Sequence, residues 1–231
     1  MAEPVLRWLV PGTLCDRRVF EPMCAHWPAD RQVHVADLHR LDDPHVWWQE
    51  QLQIMPAQLD LLGFSLGGIL AMQLLAMAPE RVRRLVLVAS NPQPGTPVHA
   101  QRVREQMALW QQKGPHALAK DMLDQTTAPA RQTPELVRTV QAMAESTPLG
   151  AFEAQGRLNA SRPDGGPVLA RWRGPLMLLS GASDPWCGAD KQALCKQSRP
   201  DALWHELPEA GHYLPLENPA WLASTTDEFL N

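Results

Sequence analysis

Leu59-Asp60-Leu61-Leu62-Gly63-Phe64-Ser65-Leu66-Gly67-Gly68-Ile69 is the stretch that decides how this chain is read. A short apolar run, 59–62, leads into Gly63-Phe64-Ser65-Leu66-Gly67, a G-x-S-x-G pentapeptide. Apolar residues at helical spacing follow from Ile69 to Ala78. In that strand–turn–helix context a serine sits on a sharp, strained corner with its hydroxyl clear of the sheet. The positions two before and two after it must be small, because a Cβ there strikes the neighbouring strand and helix. Gly63, Gly67 and the extra Gly68 meet that demand. The helix that opens after the serine also turns its free N–H groups and positive end toward whatever the hydroxyl approaches. A glycine-rich turn with an incidental serine explains the pentapeptide equally well in isolation, so the decision falls to the rest of the chain.

Working outward, short apolar runs alternate with helical ones. Strands are expected at Val5–Val10, Val33–Ala36, Leu59–Leu62 and Leu85–Ala89, then at Leu176–Leu179 and Ala202–Leu207. Helices are expected at Val46–Met55, Ile69–Ala78, Asp190–Gln197 and from Asn218-Pro219 to Phe229, and a short one within Asp16–Trp27 that starts late, because Pro22 is best tolerated in a first turn. Leu85–Ala89 is apolar throughout, as in a parallel sheet covered on both faces. Six strands alternating with helices predict an α/β fold with a mainly parallel sheet of about six strands. From Asn91 to Arg173 no strand is read. Helical candidates succeed one another there, at Val98–Lys113, His116–Gln125, Pro134–Glu145 and Leu149–Asn159. Gly114-Pro115, Pro129, Pro148 and the run Pro163-Asp164-Gly165-Gly166-Pro167 separate or end them. The expected organisation is a core of 1–91 and 174–231, with a helical lid, 92–173, inserted after the fourth strand.

Composition narrows the class. A chain of 231 residues fits one domain with an insertion. The net charge of -4 carries no global basic signal for nucleic acid. No run reaches the apolar length needed to span a bilayer. The first residues, Met1-Ala2-Glu3-Pro4, lack the basic start and long apolar stretch of a secretory signal. Cys15, Cys24, Cys187 and Cys195 form no C-x-x-C pair, which suits a reducing cytoplasm. His39, Asp42, Asp43 and His45 crowd one polar segment without ligand-on-helix spacing, and read as a solvated loop rather than a metal site.

A serine hydroxyl is a weak nucleophile until a base takes its proton, and the base needs an orienting acid. With a G-x-S-x-G elbow the three occur in the order Ser, acid, His. Asp184 follows the strand 176–179, within Ser180-Gly181-Ala182-Ser183-Asp184. His212 follows the strand 202–207, after Gly211. All three candidates, Ser65, Asp184 and His212, thus fall on loops at the carboxyl end of the sheet, where open parallel sheets bind their ligands. Asp184 before Pro185 also reads as a turn former, and His212 as a surface histidine; the joint order and placement favour the chemical reading. Asn91 occupies the other position where such sheets carry the acid, and a neutral amide cannot stabilise an imidazolium as a carboxylate does.

These residues carry a resemblance. Gly63-Phe64-Ser65-Leu66-Gly67-Gly68, Gly181-Ala182-Ser183-Asp184 and Gly211-His212-Tyr213-Leu214-Pro215-Leu216-Glu217-Asn218-Pro219 resemble the α/β-hydrolase superfamily over nearly the whole chain. Within it, the small esterase-like members of carboxylesterase and pimeloyl-carrier methyl ester esterase type match best. Two departures stand out: Pro11-Gly12-Thr13 where many relatives carry His-Gly, and Phe64 where many carry His. The chain also starts at what corresponds to the family's third strand. The resemblance implies an oxyanion hole formed by the N–H of Leu66 and that of Thr13, with Leu14 as the other option for the second donor. Leu14, Phe64 and Trp110 are candidate substrate contacts, although Trp110, with Met107, Met122 and Met143, equally fits packing of the lid onto the core. No metal and no cofactor is expected.

The implied activity is a serine hydrolase that cleaves a small carboxylic ester or thioester through an acyl-enzyme. Fold alone does not separate this from C–C hydrolysis or elimination on the same residues, nor from a non-catalytic ligand-binding protein. The partner expected is a small-molecule ester. The segment Gln93 to Arg173 holds ten Arg or Lys and seven Asp or Glu, which leaves it at +3 and the remainder at -7. A basic lid of that kind suits an anionic substrate or an acyl carrier protein, and solvated helix faces explain the excess as well.

Overall fold

Strands covered on both faces have to be apolar on both, and the runs that satisfy this form the middle of one sheet whose edge strands are part-exposed. The computed structural model describes residues 5–231. Met1 to Pro4, and with them the reading of that end as lacking a secretory signal, lie outside the described residues. β1 (Arg7–Val10), β2 (Val33–Val35), β3 (Leu59–Phe64), β4 (Val82–Val88), β5 (Leu176–Gly181) and β6 (Leu203–Leu207) pair in the order β2-β1-β3-β4-β5-β6. Every neighbouring pair is parallel, as the strand–helix alternation predicts. Alternation along each strand divides the core into two layers. Leu9, Leu62, Val86, Val88 and Leu179 pack on one face with Phe20 and Met23. Trp8, Val10, Leu61, Leu85, Leu87 and Leu178 pack on the other with Trp48, Leu70 and Leu74. Each such side chain fully buried is worth about 1.5–3 kcal/mol.

The helices are α1 (Glu21–Cys24), α2 (Pro44–Ile54), α3 (Leu66–Met77), α4 (Pro97–Thr126), α5 (Pro134–Ser146), α6 (Leu149–Ser161), α7 (Gly166–Arg171), α8 (Ala189–Ser198), α9 (Leu214–Glu217) and α10 (Pro219–Leu230). α4 to α7 fall between β4 and β5. No helix among the described residues is long and apolar enough to cross a membrane.

The short helix expected to start late within Asp16–Trp27 is α1, with Pro22 in its first turn, after a 3-10 turn at Arg17–Val19. α2 starts two residues earlier than expected, because Asp43 Oδ1 accepts from the N–H groups of His45 (2.8 Å) and Val46 (3.0 Å), with Pro44 at the first helical position. The two helices expected on either side of Gly114-Pro115 are both present within α4, which is broken at Gly114, whose φ of 81 and ψ of 175 are not helical. The run Pro163–Pro167 breaks the helices after α6 as expected, and its last two residues open α7, a helix not expected from the sequence, its entry tied by Asp164 Oδ1 to the N–H of Gly166 (2.8 Å). Asn218 precedes α10 but makes no side-chain capping bond. The run read as apolar at Val5–Val10 holds Arg7, which is buried, paired to Asp227 at 2.7 Å and laid over the ring of Trp27.

Candidate active site

β3 delivers Ser65 onto the corner before α3. Ser65 has φ 52 and ψ -115, a sparsely populated conformation of the kind that costs about 1–3 kcal/mol, and its N–H is bonded to the carbonyl of Val88 at 2.9 Å. The glycines around it have no room for a side chain. A Cβ on Gly67 lies 2.0 Å from the carbonyl oxygen of Val10, and one on Gly63 lies 2.5 Å from that of Gly67. The β6–α9 loop carries His212 and is pinned from both sides. The His212 N–H donates to the carbonyl of Thr126 on α4 at 3.1 Å. The buried carboxylate of Glu217 accepts from the N–H groups of Gly211 (2.9 Å) and Tyr213 (3.0 Å). Burial pushes the Glu217 carboxyl above its ordinary pKa, against the pull of those N–H groups and of Arg131.

The loops after β3, β5 and β6 bring Ser65, Asp184 and His212 into one hydrogen-bonded chain. His212 Nδ1 lies 2.7 Å from Asp184 Oδ2, and His212 Nε2 lies 2.9 Å from Ser65 Oγ. An ionised carboxylate only accepts, so Nδ1 carries the proton and the Nε2 lone pair faces the hydroxyl. Asp184 Oδ1 accepts from the N–H groups of Trp186 (2.8 Å) and Cys187 (3.1 Å). Burial works to raise the Asp184 pKa, but His212 and these N–H groups outweigh it and hold the carboxyl below its usual range. Phe64 and Trp186 wall the imidazole, with ring centroids 5.5 and 5.2 Å away. Asn91 stands apart from the chain, donating to Cys187 Sγ at 3.3 Å. The arrangement can pass a proton from hydroxyl to imidazole while the cation formed stays against a carboxylate.

Beside Ser65 Oγ is a cavity of about 70 Å³, lined among others by Thr13, Phe64, Leu66, Trp186 and Cys187. Leu66 opens α3, so its N–H has no partner within the helix. Leu14 sits at φ 57 and its N–H donates to Gln155 Oε1 at 2.9 Å, which takes it out of use as a donor to a ligand. The N–H of Thr13 has no acceptor among the described residues. Of the three candidate substrate contacts, Phe64 lines this cavity, Leu14 is buried in the core, and Trp110 stacks on Phe152 at 4.9 Å away from the cavity wall.

Cys15 and Cys187 also line the cavity, and burial pushes both thiols far up, so they stay protonated. Asp184, Cys187 and His212 offer ligand atoms within 4.8 Å of one another, yet the carboxylate is already engaged by an imidazole and two N–H groups, and the thiol keeps its proton. The donor set suits a hydrogen-bond chain rather than an ion. The polar segment Leu38 to His45 is used locally: Asp43 caps α2 and Asp42 pairs with Arg157 at 3.1 Å. Sequence reading missed Gln155 and Glu217, which shape the loops of Thr13 and His212. It also missed His99, Arg102 and Arg162, which line the cavity. Only Glu217 had a signal, its place in the quoted motif; the others sit on α4 and α6 or at the end of α6, and nothing local distinguishes them from solvated positions.

The sequence model for the alpha/beta hydrolase fold matches residues 36–219, most of the chain. The chain belongs to the α/β-hydrolase family. Among its curated α/β-hydrolase relatives, a pimeloyl-[acyl-carrier protein] methyl ester esterase of Chromobacterium violaceum is 30% identical over 168 residues, which span 68% of this chain and 63% of that protein. Among solved structures, a thermophilic esterase of Thermogutta terrifontis superposes with a TM-score of 0.84 at 21% identity, over 100% of this chain and 90% of the other. A hydrolase of Pseudomonas aeruginosa superposes with a TM-score of 0.80 at 25% identity, over 100% and 91%. These α/β-hydrolase neighbours share the fold across its whole length.

Proposed function

We propose that this protein hydrolyses a carboxylic ester or thioester, with Ser65 as nucleophile, His212 as general base and acid, and Asp184 as the acid that orients His212. The observation that carries this reading is the continuous relay of 2.9 Å from Ser65 Oγ to His212 Nε2 and 2.7 Å from His212 Nδ1 to Asp184 Oδ2. As Ser65 Oγ attacks the carbonyl carbon, His212 Nε2 takes its proton, and the imidazolium is stabilised by Asp184. The N–H groups of Leu66 and Thr13 receive the oxyanion; a donor of this kind typically supplies ~10²–10³ in rate. His212 then protonates the leaving alcohol or thiol. Water attacks the acyl-enzyme by the same route, and the acid leaves with Ser65 restored.

Residues 92–173 act in this reading as a lid whose helices shape the substrate site. The acyl group has a candidate source in the relative from Chromobacterium violaceum, whose name describes a methyl ester on an acyl carrier protein. The same class of substrate, an acyl ester presented by a carrier protein, is proposed for this chain. The four cysteines are free and suit a reducing cytoplasm. The test is hydrolysis of a short-chain nitrophenyl ester. Turnover is expected in the wild type and is lost in Ser65→Ala; a variant that keeps substantial turnover removes Ser65 from the nucleophile role.

A further inference from the structure

Buried arginines in this protein are paired with carboxylates, with one exception. Arg7 and Arg199 are 2% and 3% exposed and pair with Asp227 at 2.7 Å and Asp201 at 2.8 Å. Arg162, at 5% exposure, lies where α6 ends, on the wall of the cavity that holds Ser65. Its partners are all neutral. Nε donates to the carbonyl of Gln93 (2.7 Å), one terminal nitrogen donates to Asn159 Oδ1, and the other faces His99 Nε2 (3.1 Å). No Asp or Glu among the described residues pairs with it; burial lowers its pKa, and the like charge of Arg102 lowers it further. A buried charge without a counter-ion is costly, and proteins rarely keep one without a use.

The surroundings of Arg162 point the same way. Arg102 lines the same cavity, forms no ion pair among the described residues and lies over the Trp186 ring at 5.0 Å. No Asp or Glu among the described residues lines that cavity. His99 Nε2 faces the Arg162 guanidinium at 3.1 Å, while Nδ1 accepts from the N–H of Thr96 at 3.1 Å and lies 2.9 Å from Thr96 Oγ1. A neutral His99 orients the guanidinium without cancelling its charge. Ser90 Oγ, also on the cavity wall, is buried with no hydrogen-bond partner among the described residues. Arg162, Asn91 and Ile69 are shared with a second, larger cleft of about 480 Å³ between α3 and α6, so the cation sits at the junction between the Ser65 cavity and room for a longer molecule.

We propose that the substrate carries, besides the bond attacked by Ser65, an oxyanion group, a carboxylate or a phosphate, which pairs with Arg162 and Arg102 and so supplies the missing counter-charge. This deepens the ester-hydrolase reading and rests on it for the position of the scissile bond. Arg162 offers more N–H donors than its three neutral bonds use, and a guanidinium binds carboxylate or phosphate oxygens in pairs. Charged hydrogen bonds of this type translate into a preference of about ten- to a hundredfold for the anionic ligand over a neutral analogue.

The test separates binding from turnover. Ser65→Ala protein is titrated in a calorimeter with monomethyl succinate, monomethyl glutarate, methyl phosphonopropionate and the neutral dimethyl glutarate. At least one anionic ester is expected to bind tenfold or more tightly than the diester. Tightest binding of a half-ester assigns the group as carboxylate, and of the phosphonate as phosphate. The preference is expected to collapse when Arg102→Gln or Arg162→Gln is added. Arg162 also holds the segment around Gln93, so Arg102→Gln serves if Arg162→Gln does not fold. Equal binding of anionic and neutral esters, or a preference unchanged in folded Arg102→Gln protein, overturns the proposal. Absence of Ser65-dependent turnover in the wild type, with the anion preference intact, would instead remove the hydrolase reading and leave the anion site standing.

Discussion

Gln155 offers the sharpest perturbation of the proposed oxyanion hole, because it acts on a loop far from it in sequence. Its Oε1 accepts the N–H of Leu14 at 2.9 Å, and both groups are buried. Leu14 is held at φ 57, a left-handed conformation that a leucine adopts only when its surroundings impose it. Replacing Gln155 by Leu keeps the volume and removes the acceptor. The Leu14 N–H is then buried and unpaired, at a cost of about 1–3 kcal/mol. Release of a strained backbone returns a similar ~1–3 kcal/mol, so the loop gains by turning away from its present course. The peptide of Thr13 moves with it, and the proposed second oxyanion donor leaves its place. Loss of one such donor lowers kcat by ~10²–10³, or about 3–4 kcal/mol of transition-state stabilisation. The assay is steady-state hydrolysis of a nitrophenyl ester, with thermal unfolding in parallel. The expected signature is a fall in kcat much larger than any change in KM, with Tm lowered by ~2–4 °C for each kcal/mol lost. A Gln155→Leu protein with lowered Tm and wild-type kcat would refute the reasoning, since it would make the Gln155 contact a matter of stability alone.

Three further outcomes follow from the same geometry. Asp184→Asn keeps the shape of the site but presents an amide N–H₂ or carbonyl oxygen without charge to His212 Nδ1; kcat is expected to fall by ~10⁴, the loss known for such a change in a serine protease, with Tm little altered, and a drop below tenfold would count against Asp184 as the orienting acid. Gly67→Ala drives a Cβ to 2.0 Å from a backbone oxygen and is expected to yield little folded protein, whereas Gly150→Ala on α6 meets nothing within 4 Å and is expected to stabilise by ~0.5–1 kcal/mol; denaturant melts of the two variants check both signs. His99→Gln keeps a neutral side chain that can accept from Arg162. In the wild type, burial, then Arg162 and Arg102, lower the His99 pKa from 6.5 to about 4. Between those values the unfolded chain binds more protons than the folded one, so this group makes stability fall as the pH drops through that window and leaves it unchanged above. His99 is only partly buried, so the expected contribution is ~1 kcal/mol, and it should vanish from the pH–stability profile of His99→Gln.

The elements around Ser65 were legible because their causes are local. A strand covered on both faces must be apolar, as Leu85–Ala89 is, and a corner as tight as Ser65's admits only glycine at 63 and 67. The helical segment was legible at its breaks: Gly114 leaves the helical region inside α4, and residues 162–165 part α6 from α7. The short α7 was not legible, because Gly166-Pro167 at its start read as loop and packing of the buried Leu169 outweighs their weak propensity.

Taken by itself, then, the sequence determined the parallel α/β architecture, the corner at Ser65, and the placement of Asp184 and His212 on loops at the same edge of the sheet. Strand direction follows from apolar patterning, and each loop emerges where its strand ends. Tertiary structure alone decided what surrounds that edge: that Gln155 takes the N–H of Leu14, that Glu217 and Thr126 hold the loop of His212, and that Arg162 is buried on a cavity wall it shares with Arg102, with no carboxylate partner among the described residues. Those contacts join residues up to 141 positions apart. Their energy depends on burial and on the direction of individual N–H and C=O groups, neither of which is set by a residue's neighbours in the chain.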